Sequence, residues 1–195
     1  MKNLHLMPTC GTRYYVYESE KQSWHKEYAE DFKPEEKKKI INALNKGFDD
    51  LGLREEKTWG ECIEDRGSQV TFSVLGQDIV DHLGQEGVRM KEEWDPDNSK
   101  KEKLRDYIAP FIPEFEVRVG GVTSIDVTKL GIDKAYGIEK LLTKLRFSKD
   151  QALFIGDRLQ EGGNDYPVKA MGVDSIEVKT WEDTRLVVET INKLS

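Results

Sequence analysis

From Pro34 onward the apolar positions Ile40, Ile41, Leu44, Phe48 and Leu51 recur at helical spacing, and Gly52 follows as a stop. Next comes ECIEDR-GS-QVTFSV, two alternating runs around Gly67-Ser68, the length and chemistry of a two-residue hairpin turn. That register sets Arg66 opposite Gln69, Glu64 opposite Thr71 and Cys62 opposite Ser73, with Ile63, Val70, Phe72 and Val74 on the other, apolar face. After a polar stretch to about residue 97, Leu104, Tyr107, Ile108 and Phe111 mark a second helix, ended by Pro113. A second hairpin, EFEVRV-GG-VTSIDV, follows. A two-residue turn at Gly120-Gly121 would set Val117 opposite Ser124, so the pattern predicts a three-residue or bulged turn, with glycine supplying positive φ. That choice places Glu116, Arg118, Ser124 and Asp126 on one polar face.

Helix and hairpin thus alternate twice between residues 34 and 128, which predicts an α+β layer of one four-stranded antiparallel sheet backed by two helices. The flanks have a different character. Leu4 to Met7 and Arg13 to Tyr17 read as strands, and residues 18–33 as a polar connector. A helix over about 134–146, the apolar strand Ala152 to Ile155, a strand over Val173 to Val178 and a final helix from about Trp181 predict α/β structure with parallel strands. Residues 34–128 are therefore expected to be an insertion, a cap, with 1–33 and 129–195 forming one core.

Composition narrows the partners. At 195 residues and 37% hydrophobic, the chain is long enough for one substantial core or two small domains. A net charge of −7 argues against nucleic acid, whose binding requires concentrated Lys and Arg. Two cysteines, Cys10 and Cys62, make no disulfide framework, and none of His5, His25 and His82 pairs with them at zinc spacing. The N-terminal run MKNLHLMPTCG is too short and too polar for a signal peptide, and no stretch approaches a membrane span, so a soluble protein of a reducing cytoplasm is expected.

Chemistry concentrates in ALFIGDRLQEGGNDYPVKAMG, residues 152–172. An apolar strand ends at Gly156-Asp157, a loop with two further glycines follows, and Asn164-Asp165 precede a helical run. Carboxylates and an amide at a strand's carboxyl end can converge on a hard cation such as Mg²⁺. The same residue types also cap turns and helices.

Gly156-Asp157 followed by Gly162-Gly163-Asn164-Asp165 is similar to the fourth motif of the haloacid dehalogenase superfamily, especially its phosphomannomutase and Cof-like phosphatase branches. SIDVTKLGIDKAYGIEKL, residues 124–141, resembles the stretch of phosphomannomutases in which a cap strand re-enters the core and delivers a lysine, and EDRGSQVTFSVLGQ, residues 64–77, resembles the cap hairpin that meets the sugar phosphate. The resemblance implies a parallel-sheet Rossmann-like core, N-terminally incomplete, carrying an α+β cap of αββ repeats, and an Mg²⁺-dependent phosphatase or phosphomutase acting on a hexose phosphate, mannose phosphate included. It implies Asp157 as metal ligand, Asn164 and Asp165 completing or orienting the shell, and Lys134 holding the transferring phosphoryl group. Ser124 and Asp126 would touch the sugar, and Arg66 and Arg118 the distal phosphate. In the residues alone, Lys134 also reads as a surface lysine at a helix start, where the dipole mildly disfavours a cation, and each arginine as a solvated hairpin residue, Arg118 more so than Arg66. The family's arginine near the end of the first hairpin is Gln77 here, which leaves phosphatase open beside mutase.

The superfamily's nucleophile, the first aspartate of a D-x-D after an apolar strand, is not found. The one D-x-D, Asp95-Pro96-Asp97, follows the polar Lys91-Glu92-Glu93-Trp94 inside the cap and reads as a helix-capping loop. Thr9 is a candidate for the second motif, although the sequence after it resembles a later edge of the core. A strand-helix-strand unit, on the order of 30 residues, is then missing. The chain is expected to be inactive alone, and its alternative is a catalytically silent sugar-phosphate-binding or interaction protein. A core short of strands would expose an edge open to self-association as a homo-oligomer.

Overall fold

The computed structural model describes residues 3–194 and divides into two compact units at Gly131/Ile132. In the first unit, β1 (His5–Leu6), β2 (Arg13–Glu18) and β3 (Ser23–Ala29) form an antiparallel sheet in that order. The strand β3 lies in the expected connector. Its sequence SWHKEYA leaves most residues exposed, as an edge strand allows, so the two-residue alternation that betrays a half-buried strand is absent. Its aromatic residues register it on β2, with Tyr28 stacked on Tyr14 at 5.7 Å and Trp24 edge-on to Tyr17 at 5.4 Å between centroids.

The rest of this unit runs through α1 (Pro34–Asp50), β4 (Ile63–Asp65), β5 (Val70–Ser73), α2 (Ile79–Leu83), α3 (Gln85–Trp94), α4 (Ser99–Ile108), β6 (Phe115–Val119) and β7 (Ser124–Lys129). The strands form one four-stranded antiparallel sheet in the order β4-β5-β7-β6, as the repeated pattern predicts. Its apolar face, Val70, Phe72, Val117, Ile125 and Val127, buries against Ile40, Leu44 and Phe48 of α1 and Leu104 and Ile108 of α4. These helices carry their apolar residues on one stripe, and burying that stripe stabilises them more than intrinsic propensity does. The short helices α2 and α3 fall in the stretch expected to be irregular. A turn at Gly84, with φ of 56°, separates them, and each presents too few apolar residues to show a period.

Both hairpin registers follow the alternation. Glu64 pairs with Thr71 and Ile63 with Phe72, and the Arg66 amide donates to the Gln69 carbonyl at 2.9 Å across the two-residue turn. In the second hairpin Arg118 pairs with Asp126 and Val117 with Val127, and the Gly120 amide donates to the Ser124 carbonyl, leaving the three-residue turn 121–123. The expected positive φ is not found at either Gly120 or Gly121. Gly120 is needed for space instead, since a Cβ there would lie 2.7 Å from Asp126 Oδ2.

The second unit contains α5 (Lys134–Leu145), β8 (Leu153–Gly156), α6 (Tyr166–Ala170), β9 (Asp174–Glu177) and α7 (Trp181–Leu194). Strands β8 and β9 pair in parallel, in agreement with the sequence pattern. Among the described residues, no helix is long and apolar enough to cross a membrane, and Cys10 and Cys62 are unbridged.

Candidate functional site

The loop from Gly156 to Asp165 is built around one buried carboxylate. Asp165 is 1% exposed, and its Oδ2 accepts the backbone amides of Asp157 at 2.9 Å and Arg158 at 3.1 Å. Its Oδ1 accepts a hydrogen bond from Lys134 Nζ, at the first residue of α5. The loop can close this tightly because Gly156 has no side chain: a Cβ there would stand 2.5 Å from Asp165 Oδ2. Gly163 likewise packs against the Arg158 carbonyl, 2.1 Å from where its Cβ would be. Burial pushes the Asp165 carboxyl up, but Lys134 and the two amides outweigh it and hold the group below the ordinary carboxylate value. Lys134 itself stands at a helix N-terminus, where the dipole disfavours a cation. Asp165 compensates for that, together with Asp133, whose carboxylate caps α5 by accepting the Tyr136 amide at 2.9 Å.

A cavity of about 240 Å³ opens beside this knot, lined by Lys134, Asp157, Asp165, Thr180, Trp181 and Thr184, among others. Its far wall is the start of α7, where Thr180 and Asp183 form a reciprocal cap. The Asp183 amide donates to Thr180 Oγ1 at 3.3 Å, and Asp183 Oδ2 accepts the Lys179 and Thr180 amides at 3.0 and 3.1 Å. Those amides hold the Asp183 carboxyl below its ordinary value. The lining residues Thr180, Trp181 and Thr184 were not anticipated, although the T-x-x-D spacing of a capping box was there to read. Lys134 and the N-terminus of α7 suit an anionic group, while the amides of Asp157, Arg158, Lys179 and Thr180 are already taken by Asp165 and Asp183.

For a metal ion the donor set is partial. Asp157 and Asn164 are exposed at the loop, whereas both oxygens of Asp165 are already engaged. Among the described residues no three of His, Cys, Asp and Glu cluster in a way that could hold an ion. Asp157 is thus a single carboxylate of the right chemistry for a hard cation, with Asp165 turned to the task of shaping the loop.

The other expected site residues lie in the first unit, on the polar face of the four-stranded sheet. Glu64, Thr71, Asp126 and Arg118 stand in one row across β4, β5, β7 and β6. Ser124 pairs with Ser73 one row away, and Arg66 faces Gln69 on the opposite side. Asp126 Oδ1 accepts a hydrogen bond from Thr71 Oγ1 at 2.7 Å, and Thr71 in turn accepts one from Gln69 Nε2 at 2.9 Å, a buried chain that the sequence did not single out. Arg66 pairs with Glu64 at 2.6 Å and Arg118 with Glu116 at 3.5 Å. Gln77 donates from Nε2 to the carbonyls of Cys62 and Thr71 at 3.3 and 3.4 Å.

The lone D-x-D is a helix cap, as expected. Asp95 is 3% exposed and accepts the amides of Lys100 at 3.0 Å and Lys101 at 3.1 Å, while Asp97 accepts that of Ser99 at 3.1 Å. Thr9 sits in a left-handed turn with φ of 52°, its hydroxyl 2.8 Å from Thr12 Oγ1 and 3.0 Å from Ser68 Oγ.

A parallel strand ending in Gly-Asp, a lysine bound to the loop's last aspartate, and an αββ-repeat sheet with one polar face define a haloacid-dehalogenase-type fold with a cap. A sequence model of the eukaryotic phosphomannomutase family matches residues 13–194, and the chain belongs to that family. No curated protein matches the chain significantly. Solved structures that resemble it include an N-terminally truncated, IMP-bound IMP-nucleotidase from Plasmodium falciparum, with TM-score 0.58 and 18% identity over 98% of this chain and 49% of that one. A Streptococcus mutans protein aligns with TM-score 0.60 and 15% identity, covering 98% and 78% of the two chains. A haloacid dehalogenase-like hydrolase from Bacteroides thetaiotaomicron aligns with TM-score 0.52 and 12% identity, covering 95% and 74%. At these identities the likeness is one of fold. The chain spans about half the length of the nucleotidase.

Proposed function

We propose that this chain carries the phosphate-handling loop and the sugar-reading cap of an Mg²⁺-dependent phosphotransferase acting on a hexose phosphate, either a phosphatase or a phosphomutase. The observation that supports the proposal is the Lys134 ammonium, held by Asp165 at the wall of a cavity that Asp157 also lines. In this proposal Lys134 binds the phosphoryl group, Asp157 holds the ion, and Asn164 and Asp165 orient its surroundings. Bound Mg²⁺ would supply charge neutralisation at the phosphoryl oxygens. Arg66, Arg118, Ser124 and Asp126 belong to the sugar-facing surface. Residues 34–128 act as the cap and residues 1–33 with 129–195 as the core, in a protein of the reducing cytoplasm. Because the lone D-x-D is used as a helix cap, the 195 residues by themselves bind without turnover. Calorimetric titration with inorganic phosphate tests this: binding should require Mg²⁺ and weaken about tenfold or more in Lys134→Met, as loss of one charge-assisted contact implies. Phosphate binding indifferent to both Mg²⁺ and Lys134 would refute the assignment.

A further inference from the structure

We infer that Trp181 is a specificity-determining residue of the cavity in the second unit, a platform for phosphate monoesters whose ester group presents a flat ring face. This rests on the proposed function, since it takes Lys134 as the place of the phosphoryl group. The chain has four tryptophans, and neighbours engage three of them. Trp24 is edge-on to Tyr17 at 5.4 Å, and Lys57 Nζ lies 4.9 Å from the Trp59 ring. Lys100 Nζ lies 4.7 Å from the Trp94 ring, whose indole N–H donates to Glu55 at 2.8 Å. Trp181 differs from all three. It is 68% exposed, and among the described residues no ring, cation or hydrogen-bond acceptor engages its side chain. A single exposed aromatic is ordinary on an open surface, but this one stands at the wall of a cavity.

Its position is set by the main chain around it. Trp181 is the first residue of α7, and the cap formed by Thr180 and Asp183 holds the backbone on either side, with Asp183 Oδ2 accepting the Lys179 and Thr180 amides. Just upstream, the Val178 amide donates to the Gly156 carbonyl at 3.0 Å and ties the segment to the end of β8. Asp183 takes two amides of the helix start, so the indole is what this segment presents to a ligand. The cavity thus has two characters, a charged end of Lys134, Asp157 and Asp165 and an apolar wall of Ile155, Val178 and Trp181. That division suits a molecule charged at one end and apolar on one face. Charge alone treats every phosphate monoester alike, whereas a fixed indole adds stacking contact for a ring and far less for an open chain. A hexose closed to its pyranose ring falls in the favoured class, and an open-chain polyol phosphate does not.

Calorimetric titrations of residues 1–195 with phenyl phosphate, methyl phosphate and inorganic phosphate, each with Mg²⁺, test the inference. The two esters carry the same charge and differ in the ring, so the wild-type chain should bind phenyl phosphate about fivefold more tightly than methyl phosphate. Trp181→Ala should abolish that preference and leave the affinity for inorganic phosphate within about twofold. Trp181→Phe should restore most of it, which a merely structural role would not do. Because the side chain is exposed, both variants should melt as the parent does. Equal binding of the two esters by the wild-type chain overturns the inference while the proposed function stands, and so does a phenyl preference that survives Trp181→Ala. Failure of inorganic phosphate itself to bind would bring down the function, and the inference with it.

Discussion

Taking a carboxylate out of water costs several kcal/mol unless its lone pairs are satisfied, and Asp165 meets that condition with one ammonium and two amides. The residue types of this loop were legible as strand-end oxygen donors, but the inward turn of Asp165 was not. It depends on how closely Gly156 and Gly163 let the chain fold back, a distance that no spacing encodes. A pH dependence follows. The folded carboxyl titrates below its ordinary 3.8, so its contribution is fully present above that value and is lost as pH falls through the depressed one. Asp165→Asn should lower stability near neutrality by about 2 kcal/mol, with one charged partner lost and one amide contact weakened. It should also flatten the acid limb of a melting-temperature profile, and coincident acid limbs for variant and parent would contradict this origin of the shift.

Elements were legible where burial imposes a period and obscure where it does not. The hairpin registers could be read because sliding either strand by one residue would turn Val70, Phe72, Ile125 and Val127 toward the polar face. The three-residue length of the second turn came from the same constraint, whereas its glycine answered to a side chain across the hairpin and not to backbone handedness. The strand β3 and the helices α2 and α3 left no comparable trace, being exposed or short. At this scale Asp95 has a measurable role. Asp95→Ala removes the acceptor for two amides at the start of α4 and should cost about 1–2 kcal/mol, read as a lower denaturant midpoint with an unchanged slope. An unshifted midpoint would mean that water takes over the cap.

For the whole molecule, the lone D-x-D is committed to a helix start, so Mg²⁺-dependent release of phosphate from mannose, glucose or aryl phosphates by these 195 residues should be undetectable over hours. Measurable hydrolysis would reveal a nucleophile elsewhere in the chain. The division at Gly131/Ile132 has a further consequence for inheritance. Lys134, Asp157 and Asp165 all follow it, while Arg66, Arg118, Ser124 and Asp126 all precede it. On the proposed roles, the residues that would bind phosphoryl group and metal are written on one uninterrupted stretch of gene and those of the sugar-facing surface on another. Drift or recombination upstream would then reset which molecule is recognised and leave the downstream stretch unedited.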